Sequence, residues 1–168
     1  MVQPGQPAPR FTLKDSSGRE WTLDALRASG PLVLFFYPRD DSPVCTREAC
    51  AFRDAYQDFL EVGARVVGVS SDSEDSHRAF AERRRLPFVL LSDPGGETRK
   101  AYGVGRTLGL LEGRVTFVID TEGIVRMAFS AQLQSVAHME QALESVRRLR
   151  AGASASHARS GNVIPPTQ

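Results

Sequence analysis

The chain has 168 residues, 41% of them hydrophobic and 24% charged, the composition of an ordinary folded domain long enough to bury one core. Its 21 Lys and Arg against 20 Asp and Glu leave a formal net charge of +1, so no long-range field favours nucleic acid, acidic substrates or an anionic membrane. The longest apolar runs, Pro31 to Tyr37 and Pro87 to Leu91, fall far short of the roughly 20 residues of a membrane helix, and the N-terminus MVQPGQPAPRF lacks a secretory pattern, so we expect a cytoplasmic protein.

Phe11 to Leu13 and Glu20 to Leu23 are β-type segments around Asp15-Ser16-Ser17-Gly18, whose polar side chains and glycine suit a turn; a peripheral N-terminal β-hairpin is predicted. Pro31 to Tyr37 is a continuous apolar run stopped by Pro38, the pattern of a central strand buried on both faces. From Pro43 to Leu60, Ala49, Phe52, Tyr56, Phe59 and Leu60 recur at helical spacing, with Pro43 in the first turn and Gly63 at the cap, which predicts one amphipathic helix. Arg65 to Ser70 reads as a second buried strand. Ser73 to Arg85 reads as a helix with acidic residues first and arginines last, and its run Arg83 to Arg85 is a solvated, dipole-favoured end.

Phe88 to Leu91 is a further short strand, Asp93 to Gly96 a turn and Glu97 to Tyr102 a short helix. The loop Gly103 to Gly113 precedes a strand instead of following one, so Gly103-Val104-Gly105 is a weak dinucleotide signal, and Leu108, Leu110 and Leu111 line a substrate approach or a subunit contact. Val115 to Ile119 and Ile124 to Phe129 form a second hairpin. Val136, Met139, Leu143 and Val146 then line the inward face of a last helix ending near Arg150. These elements assign residues 1–150 to one α/β domain, a central mixed β-sheet flanked by helices in the thioredoxin-like arrangement. Residues 151–168, small, polar and poor in large aliphatics, are expected to form a flexible C-terminal tail.

Two cysteines are too few for a disulfide framework, and His77, His138 and His157 show no ligand spacing. The histidines read as surface imidazoles, and no metal or other cofactor is expected. The informative segment is Pro38 to Cys50, PRDDSPVCTREAC, where a buried strand hands over to a helix. Cys45 falls in the first helical turn, where free N–H groups and the dipole stabilise an anion and hence the thiolate. A thiolate attacks peroxide oxygen to give a sulfenic acid, which a second thiol condenses into a disulfide. Cys50 is the one candidate within the chain. Positions five apart on an α-helix lie roughly 8.7 Å apart at Cα, beyond the limit of about 7 Å for a disulfide without backbone movement. The first turns are therefore expected to unwind between redox states.

This segment resembles the peroxiredoxin family, and within it the bacterioferritin-comigratory or PrxQ-like branch. Pro38, Ser42 and Cys45 keep the family spacing of proline, hydroxyl residue and cysteine, Cys50 matches the branch's resolving position, and FYPRDDSPVCTREACAFRD and GRVTFVID are similar to its wording from about Gln6 to Arg150. The resemblance implies a thiol peroxidase acting on hydrogen peroxide and organic hydroperoxides, with Cys45 peroxidatic, Cys50 resolving and thioredoxin or a similar thiol as reductant. It also implies a monomer or weak homodimer. Ser42, where threonine is commoner, would hydrogen-bond thiolate and peroxide, Pro38 would shield the sulfur, and Arg114 would hold thiolate and peroxide oxygens. Glu48, one turn after Cys45, would orient that arginine.

Other readings remain at this point. Two cysteines five apart on a helix can be inert core thiols, and Arg114 can be a solvated strand residue. A thiol–disulfide oxidoreductase on the same fold is opposed by the four residues between the cysteines, where thioredoxin-type motifs have two. A non-catalytic redox sensor would use the helix opening to switch partner binding.

Overall fold

A computed structural model describes residues 1–160 of the chain, the side chains of Thr107 and of residues 155–160 excepted. Strands β1 (Thr12–Asp15) and β2 (Glu20–Thr22) pair as the expected antiparallel hairpin, and α1 (Leu23–Arg27) follows, with the Thr22 hydroxyl accepting from Ala25 N–H. The apolar run becomes β3 (Leu32–Phe36), buried along its whole length. Then come α2 (Pro43–Asp54), α3 (Tyr56–Glu61), β4 (Arg65–Ser70), α4 (Glu74–Arg84), β5 (Val89–Ser92) and α5 (Glu97–Ala101). The chain continues through β6 (Arg106–Thr107), β7 (Leu111–Glu112), β8 (Val115–Ile119), β9 (Val125–Ser130) and α6 (Ser135–Ser160).

Seven strands form one mixed sheet in the order β2-β1-β5-β4-β3-β8-β9. The crossovers through α2–α3 and α4 make β3, β4 and β5 parallel, while β8 returns antiparallel on the other side of β3. This is the mixed sheet flanked by helices of a thioredoxin-like, peroxiredoxin-type fold. Strand alternation divides the core. Val33, Phe35 and Tyr37 face α2, α3, α4 and α6, packing with Ala49, Phe52, Phe59, Phe80, Ala142 and Val146. Leu32, Leu34 and Phe36 face Leu23, Leu26, Tyr102 and the N-terminal segment. Cys45 belongs to the first of these two cores.

Three expectations are corrected. The single helix over 43–60 is interrupted at Ala55, which takes φ −92° and ψ 3°; the bonds from Ala55 N–H to Ala51 O and from Phe59 N–H to Ala55 O carry the chain across the interruption, so the apolar spacing continues through it. The last helix runs past Arg150 to Ser160, because the small residues beyond Arg150 include alanines, which need no burial to remain helical. Residues 161–168 of the expected tail lie outside the described residues. The stripe on α6 is rotated: Ser135, His138, Ala142, Leu143 and Val146 are buried, whereas Val136 is 47% exposed. Polar residues occupy the inward face there, so apolar periodicity pointed one residue away. Among the described residues no helix is long and apolar enough to cross a membrane.

Gly68, in the middle of β4, shows how tightly the sheet is covered. A Cβ at this position would lie 2.7 Å from Phe35 Cζ and 2.8 Å from Leu90 Cδ2. Gly68→Ala should therefore destabilise the protein by about 1–3 kcal/mol through overpacking, read as a lower urea midpoint with an unchanged slope; an unchanged midpoint would refute the close fit.

Candidate active site

The chain leaves β3 at Phe36, and Tyr37 N–H still donates to Val69 O at 3.1 Å before Pro38, half-buried, ends the strand. The loop that follows is held by Asp40. Its Oδ1 accepts from Tyr37 Oη at 2.6 Å, its Oδ2 from Ser76 Oγ at 2.8 Å, and His77 Nδ1 also lies 2.8 Å from Oδ2. The Asp40 N–H donates to Asp72 Oδ2 at 2.8 Å, and Asp72 accepts from Ser70 Oγ at 2.6 Å. Burial, reinforced by the Asp40 charge, pushes the Tyr37 phenol well above its usual value, so it stays a donor. The loop then passes through Asp41 at φ 61°, a left-handed conformation that costs energy outside glycine and is held here by its neighbours.

Helix α2 starts at Pro43, with Ser42 extended at its N-cap and Ser42 O accepting from Thr46 N–H at 2.8 Å. The Ser42 hydroxyl does not close this end; it donates to Arg39 O at 3.1 Å. Cys45, 1% exposed, comes in the first turn and is a free thiol. Arg114 Nη2 donates to its sulfur at 3.1 Å, Arg114 Nη1 forms a close ion pair with Glu48 Oε2, and Arg114 Nε donates to Gln132 O at 3.0 Å. Arg114 immediately precedes β8, which lies beside β3, and Glu48 is one turn beyond Cys45 on α2, so sheet and helix bring the three groups together. Burial opposes the Arg114 charge, but Glu48 and Cys45 outweigh it and hold its pKa above the ordinary value.

Glu48 is fully buried, and burial pushes its carboxyl up to about 7 against the opposing pull of Arg114. Its second oxygen, Oε1, has no hydrogen-bond partner and lies 3.7 Å from His138 Nδ1. Burial draws His138 down to about 4, with the nearby Arg114 charge acting in the same direction and the hydrogen bond to Ala131 against it. The imidazole is therefore neutral at neutral pH. Its Nε2–H donates to Ala131 O at 2.7 Å and its Nδ1 accepts from Thr116 Oγ1 at 2.9 Å.

The structure thus gathers Cys45, Glu48 and Arg114 into direct contact. Pro38 and Ser42 stand on the loop that leads to Cys45, and among the described residues Ser42 makes no hydrogen bond to the sulfur. Cys50, also a free thiol and half-buried, faces elsewhere, into a groove of about 500 Å³ lined by Arg47, Asp54, Val136 and Met139. The expectation of surface histidines is overturned for His77 and His138, both 0% exposed; His157 lies among the residues whose side chains are not described. His77 shares the inward face of α4 with Phe80, three positions on, in a helix otherwise too polar for that face to be read from sequence. With Asp40 and Asp72 it offers a metal-like cluster of three ligand atoms. Its atoms already bond to Tyr37, Ser76, Ser70, the Asp40 amide and Leu91 O, so we read the cluster as a clamp on the loop. Leu108, Leu110 and Leu111, on the β6–β7 hairpin, are 92%, 85% and 59% exposed. Sequence reasoning missed Asp40, His138, Thr116, Gln132 and the buried Arg99; only Asp40 carried a signal, its place inside the Pro38–Cys45 spacing.

Residues 4–128 match the AhpC/TSA family. A chloroplastic peroxiredoxin Q from Sedum lineare is 45% identical over 150 residues, 89% of this chain and 80% of the relative. Among solved structures, the peroxidoxin BcpB from Mycobacterium tuberculosis superposes with a TM-score of 0.83 at 41% identity, covering 89% of this chain and 99% of that one. The peroxiredoxin Q from Xanthomonas campestris superposes at 0.77 with 30% identity, covering 83% and 91%.

The Glu48 carboxyl supplies a test of the buried site. A folded-state pKa raised to about 7 contributes stability that is complete below the unfolded value and is lost as pH rises through 7. Relative to Glu48→Gln, which cannot titrate, the parent should lose up to about 3 kcal/mol between about pH 5 and about pH 8 in urea unfolding. Parallel pH profiles for the two proteins would contradict the raised carboxyl.

Proposed function

We propose, for a chain that belongs to the AhpC/TSA family and to its PrxQ-like branch of peroxiredoxin-type thiol peroxidases, a catalytic cycle run by Cys45 and Cys50. The observation that carries it is Arg114 standing between Glu48 and the Cys45 sulfur, with Nη2 3.1 Å from Sγ. A guanidinium in that place favours the thiolate and has further donors for a peroxide's oxygens. The thiolate attacks the outer oxygen of a hydroperoxide, the O–O bond breaks, and Cys45 becomes a sulfenic acid. The departing alkoxide or hydroxide takes up a proton and leaves as alcohol or water. Cys50 then displaces the sulfenic hydroxyl as water, forming a Cys45–Cys50 disulfide, and a dithiol such as thioredoxin returns two electrons and two protons. Hydrogen peroxide and small organic hydroperoxides are the substrates we assign.

The resolving step sets a mechanical requirement. Both cysteines lie within the unbroken helix Pro43–Asp54, and positions five apart on a helix are roughly 8.7 Å apart at Cα, so α2 must open before the sulfurs can meet. Its first turn has no side-chain cap, which supports an opening that starts there.

Three outcomes are expected. Peroxide consumption with thioredoxin as donor should vanish in Cys45→Ser, and full turnover by that variant would refute the mechanism. One equivalent of peroxide should lower the mass of the parent by two hydrogens, with a crosslinked Cys45–Cys50 peptide, whereas Cys50→Ser should stop at the sulfenic acid. Amide hydrogen exchange over residues 43–52 should be faster in the oxidised protein; equal protection in both redox forms would remove the helix opening from the scheme.

A further inference from the structure

A guanidinium is costly to bury and repays that cost only where its donors are well used. Arg99, on the short helix α5, is 6% exposed and lies outside the two motif segments around Cys45 and Arg114, though within the matched residues 4–128. Its Nη2 donates to Tyr37 O and its Nη1 to Gly113 O, both at 2.7 Å. These two carbonyls immediately precede Pro38, where the Cys45 loop begins, and Arg114. Phe36 and Val115 are the last pair of the β3–β8 ladder. Beyond that pair the strands stop bonding to each other, and the planar fork of Arg99 ties them instead.

Arg99 is itself fixed on several sides. Its N–H donates to Asp93 Oδ2 at 2.9 Å, its Nε lies 3.6 Å from Glu112 Oε2, and its guanidinium carbon stands 5.8 Å from the centre of the Phe36 ring. Its two carbonyl partners belong to the residues just before Pro38 and Arg114, which places it beside the site. Its grip on the chemistry nevertheless runs through backbone, at the two points from which the nucleophile loop and the Arg114 strand depart.

We infer that Arg99 is a positioning residue for peroxide reduction: its fork sets the separation of the Cys45 loop from the Arg114 strand, and with it the 3.1 Å approach of Arg114 to the sulfur. The inference rests on the peroxidase reading given above. Lysine in this position keeps the charge but is a point donor that cannot hold two carbonyls in one plane. Displacement of Arg114 by a fraction of an ångström should then slow attack on peroxide without removing the thiol's own reactivity.

The test uses the full chain with Cys50→Ser, so that only the first oxidation of Cys45 is followed, by quenched mass spectrometry with hydrogen peroxide. With Arg99→Lys added, the second-order rate constant should fall roughly 100-fold, while alkylation of Cys45 by iodoacetamide at a pH where the thiol is fully ionised, so that Arg114's effect on its ionisation drops out, should stay within about threefold. Arg99→Met should lose peroxide reactivity at least as far; if it does not fold, the lysine variant alone decides. A peroxide rate constant in Arg99→Lys within about threefold of the parent overturns the inference, and so does alkylation that falls in step with peroxide attack. A parent protein whose Cys45 does not react with peroxide would instead refute the peroxidase reading itself.

Discussion

Arg114 is the side chain on which the site depends, because its three guanidinium nitrogens tie α2 to the segment ahead of α6. Nη2 donates to Cys45 and Nη1 meets Glu48, both on α2, while Nε donates to Gln132 O ahead of α6, and the residue itself leads into β8. A carboxylate as deeply buried as Glu48 would be untenable alone. Arg114 compensates it only in part, which is why the carboxyl is pushed up to about 7. The same cation donates to the Cys45 sulfur, so one charge is shared between the carboxyl that orients it and the sulfur. Neutral His138 closes the polar space behind Glu48 without adding charge.

Around that centre the fold is rigid on one side and weakly fastened on the other. The loop before Cys45 is pinned by Asp40, Asp72 and His77 to β4, α4 and β5. Helix α2 begins without a side-chain cap, because the Ser42 hydroxyl turns back to Arg39 O; an absent cap is worth about 1 kcal/mol of helix stability. Cys45 is thereby delivered by a fixed loop onto a helix whose first turn has no side-chain cap. That combination suits the proposed chemistry, in which Cys45 is held accurately for attack and released for resolution.

The order and type of all seven strands of the main sheet and of the longer helices were legible in the sequence, because buried strands such as Leu32–Phe36 and capped helices such as Glu74–Arg84 leave local signals in apolar runs, caps and dipole-favoured charges. The short α1 and the two-residue strands β6 and β7 were not. The reading failed where the inward face is polar. On α6, Ser135 and His138 point in and Val136 out, and on α4 His77 is buried in a charged helix, so apolar periodicity had nothing to register. The break at Ala55 was equally silent, since the buried spacing of Phe52 and Phe59 continues through it.

By itself the sequence singled out Cys45 as the candidate nucleophile and Cys50 as its candidate partner, because Pro38, Ser42, Cys45 and Cys50 are recognised by spacing along one segment, and helix geometry turns that spacing into the unwinding that the proposed disulfide requires. It also brought Glu48 within one turn of Cys45. Only the tertiary structure decided that Arg114 touches both of them, that His138 and Thr116 stand behind Glu48, and that Arg99 bridges Tyr37 and Gly113. Those contacts join residues 14 to 90 positions apart in the chain, across strands and helices whose neighbourhood is set by the order of the sheet. No local pattern of residue types encodes which buried charge will meet which.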